Sequence, residues 1–191
     1  MNVREAIFTR RAVRAYAAAK VDEETVRTLL RAAVQAPSAM NRQPWLFAIV
    51  QDREQLKRYS ERAKAMVLAQ MAGDPKAAHY EDRLKSPAFD IFYGVSTLVV
   101  IGAADRGPYT DADCWLAAEN LMLTAREAGL GSCCIGFAIP LLNIPEVKAE
   151  LGFPPAGAAI APLIVGYPAA EPSPPVPRSE PRVVSWSGLR S

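Results

Sequence analysis

Apolar residues recur at Val26, Leu29, Leu30, Ala33 and Val34, the spacing of one buried face of a helix. Asp22 or Glu23 starts this helix. It ends before Pro37, because the residue preceding a proline disfavours helical geometry. A shorter helix is expected over residues 2–9, with Asn2 as its cap and Glu5 at the capping-box position. The runs 45–50, 95–103 and 158–166 are short and apolar and read as buried strands. Asp52 starts a further helix, which Gly73-Asp74-Pro75 stops near Ala72. Thr110 or Asp111 is expected to cap a helix over roughly 112–128, with Gly129 as its stop. Trp115, Leu116, Ala118, Leu121, Met122, Ala125 and Ala128 leave that helix little polar surface, so it is buried centrally or lies in an interface. A strand over Cys133–Ile139 and a small helix from Pro145 to near Leu151 complete the series. Residues 75–92, broken by Pro75 and Pro87, show no period and are expected to be irregular.

Alternating helices and buried strands predict an α/β or α+β fold in one domain over 1–191. After Tyr167 the pattern changes, with six prolines between Pro168 and Pro181. Residues 168–191 read as an extended arm, stiffened by polyproline geometry at about 3.1 Å per residue, with Val183, Val184 and Trp186 apolar enough to dock.

Composition narrows the function. The chain has 191 residues, 50% of them hydrophobic, and a formal net charge of +2, which gives no general electrostatic grip on nucleic acid. A single histidine, His79, removes two-histidine metal motifs and most hydrolase triads. The cysteines are Cys114, Cys133 and Cys134, an odd number without a CxxC motif; all three read as small core residues in a reducing compartment. The longest apolar run is far short of the ~20 residues of a membrane helix, so a cytoplasmic location without membrane contact is expected.

Nucleotide motifs of the usual kinds fail. Gly129 to Gly136 carries glycines, but it follows a helix and enters a strand, the reverse of the dinucleotide fingerprint, and no GK[ST] occurs. Three segments remain. Arg10, Arg11 and Arg14 lie at a helix end, where guanidinium forks suit an oxyanion, or where cations merely offset the helix dipole. The loop Pro37–Pro44 offers Ser38, Asn41 and Gln43 as donors and acceptors for the edge of a flat heterocycle, or is an ordinary helix-to-strand turn. Glycines 131 and 136 let backbone N–H groups approach a flat ligand, or serve tight packing.

Taken in order, RRAVRAY (10–16), APSAMNRQPW (36–45), FYG before STLVVI (92–101), AAENLMLTAREAGLGSCCIG (117–136) and PR with VVSW (177–186) resemble the FMN-dependent nitroreductase family over nearly the whole chain. The resemblance implies a three-layer α+β fold: a central mixed or antiparallel sheet of four to five strands, flanked by helices, with a C-terminal arm packing on a dimer partner. It implies FMN as cofactor and NADPH or NADH as reductant. Electron-poor acceptors such as nitroaromatics or quinones would be reduced by ping-pong hydride transfer through flavin N5. Arg10 resembles the phosphate anchor, with Arg11 and Ala12 beside the ribityl chain; family members often carry Ser where this chain has Ala12. Arg14 resembles the basic residue at the pyrimidine edge. Pro37, Ser38, Ala39, Met40 and Asn41 resemble the loop that reaches the flavin from the second subunit. Ile135 and Gly136 resemble the backbone donors near O4 and N5, and Arg178 the basic residue that the C-terminal segment returns to the phosphate. No side chain is expected to act as a catalytic acid or base, since the cofactor carries the electrons. The alternative is a flavin storage or sensing protein of the same fold without efficient turnover, which the Ala12 departure motivates. A basic-patch nucleic-acid module would need an aromatic platform that the chain lacks.

Overall fold

The computed structural model describes residues 1–72, 78–170 and 177–188. Side-chain caps start its first helices. Asn2 accepts from the Glu5 amide at 2.9 Å at the head of α1 (Val3–Thr9), and Asp22 accepts from the Thr25 amide at 2.8 Å at the head of α2 (Glu23–Ala33). Asp52 likewise receives the Glu54 and Gln55 amides before α3 (Arg53–Met71). Each bond satisfies an amide that the helix itself leaves without a partner.

Four strands, β1 (Trp45–Val50), β2 (Leu98–Ala103), β3 (Gly131–Cys134) and β4 (Ala158–Gly166), form one antiparallel sheet in the order β1-β2-β4-β3. Every residue of β2 and β4 is buried, because both faces of the sheet are covered. Val99, Ile101 and Ala103 of β2 face a core shared with α2 and α5 (Thr110–Glu127), while Leu98 and Val100 face a core shared with α3. Alternation along one strand thus feeds two cores, which gives the helix–sheet–helix layering expected of the α+β class. The second core also takes Leu141 and Leu142 of α6 (Ile139–Leu142) and Val147 of α7 (Pro145–Glu150).

The structure corrects several boundaries. Strand β3 begins two residues earlier than expected and ends at Cys134; Gly136–Ala138 form a 3-10 turn, and Pro140 sits in the first turn of α6. Residues 78–85 are a helix, α4 (Ala78–Lys85), where irregular chain was expected: Leu84 is buried on its inner face and Glu81 pairs with Lys85 on its outer face. Residues 75–77 of that stretch, and Gly73 and Asp74 of the expected helix stop before it, lie outside the described residues. Strand β2 starts at Leu98, three residues later than expected. Helix α5 starts at Thr110 without a side-chain cap; the Thr110 hydroxyl instead accepts from the Gly107 amide at 2.8 Å. Cys114 and Cys133 are buried, but Cys134 is exposed, so it is not a core residue; all three are free thiols.

Among the described residues, no helix is long and apolar enough to cross a membrane, and no group of three or more His, Cys, Asp or Glu is placed to hold a metal ion. Part of the proline-rich arm, 171–176 and 189–191, lies outside the described residues; the described stretch 177–188 is exposed, including Val184 and Trp186.

Candidate active site

The arginine segment is an added edge to the sheet. Ala12 forms a parallel bridge with Ser132, and the Val13 amide donates to the Ser132 carbonyl at 3.0 Å. Further on, Tyr16 bridges Pro168, and the Ala17 amide donates to the Tyr167 carbonyl at 2.8 Å. Residues 12–17 are therefore pinned beside the outer end of β3 and the end of β4. The Tyr16 hydroxyl donates to the Val13 carbonyl at 2.7 Å. Burial pushes its phenol above the ordinary range, Cys133 adds to this, and Arg14 acts against it.

The three expected arginines play different parts. The Arg10 side chain is 24% exposed and its Nε lies 3.5 Å from Glu119 Oε1 on α5, a loose pair that leaves donors free. Arg11 turns inward: its Nη1 donates to the Arg10 carbonyl at 2.5 Å and its Nη2 to the Phe8 carbonyl at 3.0 Å, at the C-terminal end of α1. Its Nε is buried without a hydrogen-bond partner. Arg14 and Arg10 both stand near the Cys133 thiol, which burial raises against their pull. Arg10 and Arg14 therefore stand beside β3, the strand that leads to Ile135 and Gly136, while Arg11 does not.

Arg126 in the last turn of α5 was not foreseen. Its Nε donates to Thr9 Oγ1 at 3.0 Å, and together with Arg10, Arg11 and Ser132 it lines a small cavity behind the segment. Its only sequence signal is a basic residue before Gly129, which also reads as an ordinary helix end.

Ile135 is buried, and its amide donates to the Pro162 carbonyl at 2.9 Å, which is spent on the sheet. Gly136 is exposed, and a Cβ built on it would meet nothing within 4 Å. The side on which a side chain would project is therefore open.

The 37–41 loop is built for rigidity. Met40, Asn41 and Gln43 have φ of 53°, 54° and 49°, all in the left-handed region that costs a non-glycine residue energy. Buried Asp113 at the start of α5 accepts from the Ala39 amide at 3.0 Å, and the Ser38 hydroxyl accepts from the Gln43 amide at 3.0 Å. Trp45 Nε1 donates to the Asp113 carbonyl at 3.0 Å. Met40, at its tip, is 94% exposed. Asp113 is a positioning residue that sequence reasoning missed, because it sits within an apolar helix and its partner lies far away in the chain.

The structure does not join all the expected residues within one chain. Among the described residues, no hydrogen bond or ion pair links 37–41 to 10–14 or to 135–136. The loop is tied to α5 at Asp113 and Arg10 meets α5 at Glu119, six residues on, or about 9 Å along a helix axis. Arg178 is exposed and makes no hydrogen bond or ion pair among the described residues.

Comparison with known proteins completes the picture. The model of the nitroreductase family matches residues 7–167. A protein of Archaeoglobus fulgidus described as a candidate NADH dehydrogenase/NAD(P)H nitroreductase is 32% identical over 168 residues, which is 86% of this chain and 84% of that one. The iodotyrosine deiodinase of Thermotoga neapolitana is 31% identical over 184 residues, 90% of each chain. The crystal structure of a Bacteroides fragilis nitroreductase with bound FMN superposes with a TM-score of 0.77 at 28% identity, covering 100% of this chain and 98% of that one. With its antiparallel sheet, two-sided helical cover and arginine edge strand, the chain belongs to the nitroreductase family of oxidoreductases.

Proposed function

We propose that the chain is an FMN-dependent oxidoreductase that draws electrons from NADPH or NADH and passes them to electron-poor acceptors such as nitroaromatics or quinones. The carrying observation is the pairing of Ala12 and Val13 with Ser132, which sets the guanidiniums of Arg10 and Arg14 on the strand that opens at Gly136. The parallel bridge runs the segment from Arg10 toward Arg14 in the direction in which β3 runs toward Gly136.

The residues present fit FMN. Guanidinium donors suit a phosphate, and Arg10 has capacity beyond its loose pair with Glu119. The partnerless Arg11 Nε lies beside it. Ala12 contributes no hydroxyl, so the phosphate depends more heavily on the arginines here. Arg14 would oppose negative charge on the pyrimidine edge, and the Gly136 backbone would lie against the ring without a side chain in the way. When bound, FMN supplies the hydride acceptor and donor of a ping-pong cycle at its N5.

We read the working unit as a homodimer with the flavin at the interface. Helix α5 exposes Trp115 and Leu116, and α1 exposes Val3, Ile7 and Phe8, an apolar surface suited to a partner. A 37–41 loop that serves the neighbouring copy's site, as the family resemblance implies, would give a two-fold arrangement with two equivalent sites. Arg178 on the exposed arm would complete the phosphate contacts.

Purified protein is expected to be yellow, to bleach when NADPH is added anaerobically, and to recover its colour with menadione or a nitroaromatic. A colourless preparation that takes up no FMN overturns the reading. Bound FMN that neither nicotinamide reduces would favour a storage or sensing role.

A further inference from the structure

Tyr80 of α4 meets the Phe137 ring edge-on, with centroids 5.7 Å apart, and Phe137 directly follows Gly136. The contact brings α4 to the open end of the candidate site. One helical turn along, Arg83 lays its guanidinium over the Phe89 ring at 4.4 Å and donates from Nη2 to the Tyr93 hydroxyl at 3.2 Å. Phe89 and Tyr93 themselves pack edge to face at 5.8 Å.

This wall is held firmly from behind. Buried Lys64 donates to the Phe89 carbonyl at 2.9 Å and to the Ser86 carbonyl at 3.2 Å. The Asp90 carboxylate accepts from the Phe92 amide at 2.9 Å and the Gly94 amide at 2.8 Å, which fixes Tyr93 at a φ of 55°. Glu81 pairs with Lys85 and Asp90 accepts the amides of the turn, while Asp82, next in sequence to Arg83, is exposed and makes no ion pair among the described residues. Among the described residues Arg83 makes no ion pair, so a positioned and exposed cation stands between aromatic rings. Such a cation keeps most of its donors for an anion, and the exposed Tyr80 ring, one turn back, offers a surface to a flat partner.

We propose that α4 and the 89–93 turn form the acceptor-selecting wall of the site, and that Arg83 favours planar aromatic acceptors carrying an anionic substituent such as a carboxylate. This rests on the oxidoreductase reading above.

The test compares 4-nitrobenzoate with 4-nitrobenzamide, which share a ring, a nitro group and nearly a size but differ by one charge. Flavin content and bleaching by NADPH are recorded first on the same preparation. The acid is expected to be favoured in kcat/KM, mainly through KM, with the preference shrinking as salt rises. In Arg83→Gln the acid-to-amide ratio should fall at least tenfold, and Arg83→Lys should recover part of it. Dissociation constants, read from the perturbation of the flavin spectrum, should change in parallel. Yellow, NADPH-reducible protein whose ratio is the same in Arg83→Gln and insensitive to salt overturns this inference alone. Colourless protein overturns the flavin reading and this inference with it.

Discussion

The side chain of Val13 fills the space that a Cβ on Gly131 would need: the built Cβ lies 2.7 Å from Val13 Cβ and Cγ2. The first residue of β3 is therefore a glycine because the arginine segment lies directly on it. Gly131→Ala should push that segment off the sheet edge, at about 1–3 kcal/mol of stability, the usual range for overpacking. Thermal unfolding and flavin retention should fall together. A variant with unchanged midpoint and unchanged retention would show that the contact is slack.

Arg10→Ala should weaken flavin binding far more than folding. A shielded charge-assisted bond contributes about 1.5–3 kcal/mol, or roughly a tenfold to hundredfold rise in Kd. The partly exposed pair with Glu119, at 3.5 Å, adds only about 0–1 kcal/mol to stability. Titration of stripped protein with FMN, beside a melting curve, separates the two effects.

Gly136→Val isolates the ring from the fold. Since a Cβ at Gly136 meets nothing within 4 Å, the variant should melt within about 1 kcal/mol of the parent, as most surface changes do. Its flavin affinity should nonetheless drop, because the new side chain projects where the flat group would lie. Wild-type affinity in a well-folded variant would place the ring elsewhere.

Thiol chemistry should be slow in the native state. Burial raises the Cys114 thiol to about 12, with Asp111 and Asp113 adding to it. Desolvation, with Cys133 next, raises Cys134 to about 11 against the pull of Arg10. At pH 8 the thiolate of Cys134 is then on the order of one part in a thousand, and that of Cys114 about tenfold less. A disulfide reagent at pH 8 should label Cys134 first and slowly, and all three only after denaturation. Rapid labelling of Cys114 in folded protein would contradict its burial.

Local rules carried the sequence reading a long way. The caps at Asn2, Asp22 and Asp52 and the strands at 45–50 and 158–166 follow from spacing and from residues that satisfy free amides, while the three-layer α+β class follows from the family resemblance. Helix α4 escaped because its inward signal is essentially Leu84, too little to establish a period. Asp113 escaped because its meaning depends on Ala39, 74 residues away. Arg11 was expected beside the ribityl chain, yet folding turns its guanidinium toward the end of α1. Adjacent residues of one type share a composition but not a direction, and only packing separates them.

The bridge between Ala12 and Ser132 also governs when the site can exist. During synthesis, the arginines emerge some 120 residues before their supporting strand, the separation between Ala12 and Ser132. The anchor at Pro168 is made later still. A nascent chain therefore carries its cationic hook without a backing while the intervening residues are made, and long-range closures of this kind form slowly. Any capture of a cofactor by these arginines waits for that closure.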